Sequence, residues 1–166
     1  EGRLSWIEEL LNGTKEQDNL IYNHEDFVLH TSPHWRGKTL DDRDPNQLRC
    51  LAIVKTRGIM SLRDLRSNHI PMLQSVLTAG KREISKRFGV PKDELAAFVH
   101  YHPSFLHFHV HFTRWSRTLS TEVWRAHILE DIIGGLESDS HYWKKKSITC
   151  TLSKTGDLYR AVKNHV

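Results

Sequence analysis

Between Ser104 and Thr113, His107, His109 and His111 occupy every second position, and Phe108, Val110 and Phe112 alternate with them. In a β-strand, residues two apart share a face, so the imidazoles point one way and the apolar side chains the other. A helix would turn each step of two residues by about 200° and scatter the rings. Aromatic and β-branched partners also suit a strand, and the spacing predicts one over Leu106 to Thr113. One face then carries chemistry and the other carries core. Imidazole, with an unperturbed pKa of about 6.5, serves as nucleophile, base or acid near neutrality. Phosphoryl transfer fits such a row: a neutral nitrogen attacks phosphorus while its neighbours hold phosphate oxygens and protonate the leaving group. Two other readings stand beside it. One is a polar strand face with incidental histidines. The other is zinc, which His-x-His on a strand binds when further ligands converge, although no Cys pair or Glu lies close in sequence.

The 166 residues are enough to bury a substantial core, and 38% hydrophobic with 27% charged residues reads as an ordinary globular chain. No apolar run approaches the 18 or so residues that cross a bilayer, and no membrane partner is expected. Asn12-Gly13-Thr14 is a glycosylation sequon in form only. Cys50 and Cys150 read as buried free thiols of a reducing compartment. A net charge of +4 favours a polyanionic partner. The basic clusters Lys81-Arg82, Lys86-Arg87 and Lys144 to Lys146 read as solvated helix faces or ends, and no site is assigned to them.

Punctuation along the chain predicts the remaining elements. Trp6 to Leu11 reads as a helix capped by Ser5, and Asn19 to Asn23 with Phe27 to Thr31 as a hairpin around His24-Glu25-Asp26. Leu48 to Lys55 reads as a strand. A long helix begins near Asn68, with Pro71 in its first turn, apolar residues at helical spacing, and Gly89 and Pro91 as its stop. Leu95 to Tyr101 pairs with the histidine strand across a turn at His102-Pro103-Ser104. A further helix is expected from a cap at Thr121-Glu122 to Ile133, ending near Gly134-Gly135; a last strand over Ser147 to Leu152 and a helix over Asp157 to Asn164 follow. Strands and helices mix without regular βαβ alternation, which predicts an α+β fold with an antiparallel sheet and packed helices.

The His-φ-His-φ-His-φ pattern, with φ apolar, resembles the signature of the histidine triad superfamily. Three further blocks, Arg57 to Leu65, Val99 to Ser104 and Arg125 to Leu129, resemble the catalytic C-terminal domain of the scavenger mRNA decapping enzymes, the m7GpppX diphosphatases, and the similarity runs from about Trp6 to near the C-terminus. The resemblance implies a single histidine triad catalytic domain over residues 1–166. On this resemblance, with Glu1 in place of an initiator Met, the chain reads as a fragment expected to lack the family's N-terminal domain. It implies hydrolysis of the m7GpppN cap to m7GMP and a nucleoside diphosphate in 3'-to-5' mRNA decay. No metal or cofactor is implied. The expected partners are a capped dinucleotide or short capped RNA and a second copy in a homodimer, and the expected compartment is the cytoplasm, with the nucleus a second.

Residue by residue, the resemblance makes His109 the nucleophile, His107 the group whose carbonyl sets the His109 tautomer, and His111 a donor to the scissile phosphate. Trp6 would stack on the methylated base, whose positive charge favours an indole face, and Glu16 would accept its N1 and N2 hydrogens. His100, Ser104 and Arg125 would line the phosphate site, where an Arg offers paired charge-assisted bonds. Family members usually show Pro-Asp-x-Lys-Trp where this chain has Thr31-Ser32-Pro33-His34-Trp35. Pro33 would still cover the base, but His34 carries less charge than Lys, so that phosphate contact is expected to weaken or to move to Arg36 or Lys38. Phe105-Leu106 stands where two tyrosines are common. A general histidine triad hydrolase of dinucleoside polyphosphates or phosphoramidates, and a cap-binding module with little turnover, are the alternatives.

Overall fold

Alternating apolar residues along two neighbouring strands, Arg49–Val54 (β3) and His109–Arg114 (β5), form the middle of a six-stranded sheet in the computed structural model. The structure describes residues 2–13, 17–120, 123–149, 159, 160 and 163. The remaining strands are Leu20–Asn23 (β1), Phe27–Thr31 (β2), Leu95–His100 (β4) and Ala126–Ile128 (β6). Their order is β1-β2-β3-β5-β4-β6, and each neighbouring pair is antiparallel. The helices Gly2–Leu11 (α1), Ile70–Phe88 (α2), Leu129–Ser138 (α3) and Tyr142–Lys145 (α4) accompany them. None is long and apolar enough to cross a membrane among the described residues.

The two sheet faces bury different apolar clusters. Phe27, Leu29, Ala52, Val54, Ala97, Val99, Val110 and Phe112 point to one side and pack with Leu73, Val76 and Ile84 of α2 and with Ile132 and Leu136 of α3. On the other side Val28, Leu51 and Ile53 meet Ile7 and Leu10 of α1. A ten-residue helix is marginal in isolation, so this packing holds α1; full burial of Ile7 and Leu10 contributes roughly 1.5–3 kcal/mol each. Helix α2 carries Pro in its first turn and stops at Gly89, whose φ of 68° is left-handed and whose N–H donates to Ser85 O at 2.9 Å.

Several boundaries differ from expectation. Ser5 lies inside α1 rather than capping it, because the helix begins at Gly2. The histidine strand starts at His109, and residues 101–108 form a loop, so His107 precedes the strand. The expected helix from Thr121 to Ile133 is split. Residues 121 and 122 lie outside the described residues, Val123–Arg125 is a single 3-10 turn, Ala126–Ile128 pairs with β4, and α3 begins only at Leu129. Gly134 and Gly135 fall within α3: a Cβ on Gly135 would lie 2.7 Å from Tyr142 Cδ1, so this glycine permits close approach of α4 instead of ending the helix. Residues 147–149 form no strand, and the rest of that expected strand lies outside the described residues. Of the expected terminal helix, Tyr159, Arg160 and Lys163 are helical and the other positions lie outside the described residues. Cys50 is a buried free thiol, as the sequence predicts, and Cys150 is outside the described residues.

Candidate active site

Register places the histidines. His111 lies opposite Phe98 of β4 and Leu51 of β3, and His109 lies opposite Ile53, so both rings share the face covered in part by α1. Phe108, Val110 and Phe112 are buried in the main core. His107, still in the loop, is fixed by a 2.7 Å contact between its Nε2 and Val54 O. The adjoining backbone is held as well, by Phe108 N donating to Ile59 O at 2.8 Å.

His109 is 3% exposed, and its Nδ1 lies 2.8 Å from His107 O. A carbonyl only accepts, so Nδ1 carries the hydrogen and the lone pair resides on Nε2. Phe105 stacks on the ring at 3.9 Å, and the His111 ring stands edge-on at 5.0 Å. Stacking covers the π-face of the imidazole but not its edge, where the in-plane Nε2 lone pair projects. His111 in turn stacks on Phe98 at 5.3 Å and meets His100 at 4.3 Å, and its buried Nε2 has no hydrogen-bond partner among the described residues.

Burial lowers the His109 pKa from 6.5 to about 4, against the opposing pull of its bond to His107, with the nearby His100, His107 and Arg125 adding to the depression. Burial likewise pushes His111 well down, helped by His109, His100, Arg125 and Arg49. Both imidazoles are therefore neutral at pH 7. Between pH 6.5 and about 4 the unfolded chain binds a proton that folded His109 refuses, so stability present above 6.5 is lost as pH falls through this window. The shift amounts to roughly 3 kcal/mol for His109, and His111 acts in the same direction. We expect the thermal unfolding midpoint to fall steeply from pH 7 to pH 4 and less steeply in His109→Asn. A flat profile in the native chain would contradict buried neutral rings.

A cleft of about 380 Å³ opens beside His111. Its walls carry His100, Ser104 and Arg125 on one side and Ser32, His34 and Arg49 on the other, and no described Asp or Glu lines it. Arg125 sits in the turn before β6; its Nη1 donates to His102 O at 3.1 Å, and its guanidinium lies 5.8 Å from the Trp124 ring centre. The opposite wall is the loop after β2, anchored by buried Trp35, whose Nε1 donates to Asp44 O at 3.1 Å and whose ring meets Phe88 at 4.9 Å. Such a cleft, cationic and without a carboxylate among the described residues, is suited to a polyanion.

The structure thus brings His100, His109, His111, Ser104, Arg125 and His34 together, with His109 one ring deeper than the cleft wall. Pro33 is exposed beside this group and does not line the cleft; nor do Arg36 and Lys38. Trp6 lies in α1, but its side chain, like the whole of Glu16, is outside the described residues. Sequence reasoning missed Arg49. The available signal was a charged residue two before Leu51 and four before Ile53, on the side those residues share.

Comparison with known proteins bears on the same region. The family model described as scavenger mRNA decapping enzyme C-term binding matches residues 5–125. The m7GpppX diphosphatase of Sus scrofa is 36% identical over 154 residues, covering 90% of this chain and 44% of the relative. That of Homo sapiens is 33% identical over 162 residues, covering 95% and 47%. The chain spans about half the length of the curated relatives it matches. A solved structure, Hnt3 in complex with DNA and guanosine, superposes with a TM-score of 0.53 at 10% identity, covering 96% of this chain and 91% of that one. At that identity the likeness concerns the fold, which is the expected histidine-triad-like antiparallel sheet with packed helices. With its family model matched over strands β1 to β5, the histidines and Arg125, the chain belongs to the scavenger mRNA decapping enzyme C-terminal family.

Proposed function

We propose that this chain hydrolyses the m7GpppN cap of nucleotides or short capped RNA remnants to m7GMP and a nucleoside diphosphate, through a covalent nucleotidyl-histidine. The observation that carries this reading is the His109 tautomer: neutral, hydrogen-bonded through Nδ1 to His107 O at 2.8 Å, with its lone pair on Nε2. That nitrogen attacks the phosphorus nearest the methylated nucleoside. A P–N bond forms as the P–O bond to the diphosphate breaks, and the departing oxygen takes up a proton. Water then adds to phosphorus, the P–N bond breaks, and His109 recovers its lone pair. Since such transfers depend mostly on positioning and charge stabilisation, Arg125 and the surrounding histidines act by holding phosphate oxygens, with His111 turned towards the scissile group.

Cap discrimination in this reading belongs to Trp6, Glu16 and Pro33, following the family pattern. The chain acts as a homodimer, in the cytoplasm and nucleus, within 3'-to-5' mRNA decay. A cap-binding module with little turnover is the second reading, favoured by Phe105 lying over His109. Turnover of m7GpppG, GpppG and Ap4A by the 166-residue chain in the presence of chelator separates the possibilities. We expect m7GMP release from m7GpppG to be the fastest of the three reactions. Faster cleavage of Ap4A would point to a general dinucleoside polyphosphate hydrolase, and binding of m7GpppG without products to the module.

A further inference from the structure

Strand β3 is an interior strand, hydrogen-bonded to β2 on one side and β5 on the other, yet it opens with an arginine. Arg49 alternates with Leu51 and Ile53, so it shares their face, the one that carries His109 and His111. The strand neighbours on either side are Thr113, paired with it in register, and Ser32, whose N–H donates to Arg49 O at 2.8 Å. A half-buried guanidinium brings five N–H donors and a permanent charge. Several other arginines have acceptors: Arg63 donates to Trp143 O at 2.7 Å, Arg87 to Asp41 Oδ1 at 2.6 Å, and Arg114 to Asn46 Oδ1 at 2.6 Å. Among the described residues the Arg49 guanidinium has no hydrogen bond and no ion pair, and it borders a cleft without carboxylates.

The cleft also holds Arg125, on the far side of His111. Both guanidinia add, behind burial and the neighbouring histidines, to the lowering of the His111 pKa. Of the other cations in the loop after β2, Arg36 and Lys38 are exposed and do not line the cleft. An anion long enough to lie across His111 would meet Arg49 at one end and Arg125 at the other.

We propose that Arg49 is a substrate-binding residue that clasps the polyphosphate chain from the side opposite Arg125. This rests on the phosphate-ester reading of the site but not on the identity of the nucleosides. Ile53, which faces His109, lies four residues further along β3, about 13 Å at strand rise. Arg49 therefore reaches phosphates flanking the one under attack, and its contribution scales with the number of linked phosphates.

Inorganic tripolyphosphate, which has the linked phosphates and no nucleoside, is the direct probe. Calorimetric titration of the 166-residue chain should show binding that weakens at high salt. Arg49→Gln, which keeps length and polarity but removes the charge, should weaken it about ten- to a hundredfold, as expected for charge-assisted hydrogen bonds. Arg49→Lys should restore part of the loss, and the unfolding midpoints of both variants should match the native chain. With m7GpppG as substrate, Arg49→Gln should raise KM by a similar factor. Equal tripolyphosphate affinity in the native chain and Arg49→Gln would overturn the proposal, as would no binding by the native chain. If m7GpppG is not turned over while tripolyphosphate binding depends on Arg49, cap hydrolysis fails and the clasp stands. If m7GpppG is turned over with Arg49→Gln unaffected in both assays, the clasp alone fails.

Discussion

Replacing His109 by Asn is expected to lower m7GMP release from m7GpppG by at least about 10⁴-fold, the scale on which loss of a covalent nucleophile acts. The substitution is mild for the fold. An Asn side-chain amide can donate to His107 O where imidazole Nδ1 now lies at 2.8 Å, and Phe105 retains a flat partner. What disappears is the second nitrogen. Asn has no lone pair that bonds to phosphorus, so no nucleotidyl-enzyme forms. Rapid alkaline quench, which preserves a P–N bond, with substrate labelled in the phosphate next to the methylated nucleoside should find label on the native chain and none on the variant. Less than a tenfold loss of turnover, in a variant that melts like the native chain, would remove His109 from the nucleophile role.

Phe112→Ala is expected to reduce stability by about 3–5 kcal/mol, the usual range for deleting a fully buried aromatic ring. Phe112 is 1% exposed and follows His111 on the core face of β5. Its ring fills a groove that exists because α2 has no side chain at Gly80: a Cβ there would stand 2.5 Å from the ring's Cζ. For a chain of this size the loss corresponds to a drop of roughly 6–20 °C in the unfolding midpoint. Gly80→Ala should destabilise for the opposite reason, overpacking, and the Gly80→Ala, Phe112→Ala double variant should be less unstable than the two losses summed. Urea denaturation of the four chains measures this cycle. A loss below about 1 kcal/mol for Phe112→Ala would contradict the close packing of strand and helix.

The alternation from His107 to Phe112 is legible because period two is a property of the strand backbone, and it separates chemical from core residues. Helix α2 was legible for a similar local reason, a proline at one end and a left-handed glycine at the other. The start of β5 was not. His107 continues the alternation, but its Nε2 bond to Val54 O belongs to a loop, and no pattern in the sequence announces that partner. Strand β6 is three residues long at a sheet edge and owes its existence to pairing with β4, a tertiary effect that propensity does not contain. Gly135 reads as a helix stop until Tyr142 is found pressed against it. In the site, Arg125 was found through the family pattern, whereas Arg49 required the register. Only the pairing of β3 with β5 shows that this arginine shares a face with the histidines.

The two apolar clusters on opposite sides of the sheet divide its labour between folding and chemistry. The larger, with α2 and α3, holds most of the buried apolar side chains; the smaller, under α1, leaves the rest of the same face to Ser32, Arg49, His100 and the histidines. Substitutions of these polar residues disturb few core contacts, so specificity can be altered there at small expense to the fold. Such an arrangement makes the cleft face a favourable target for directed evolution, with the sheet's other face left untouched as a constant chassis.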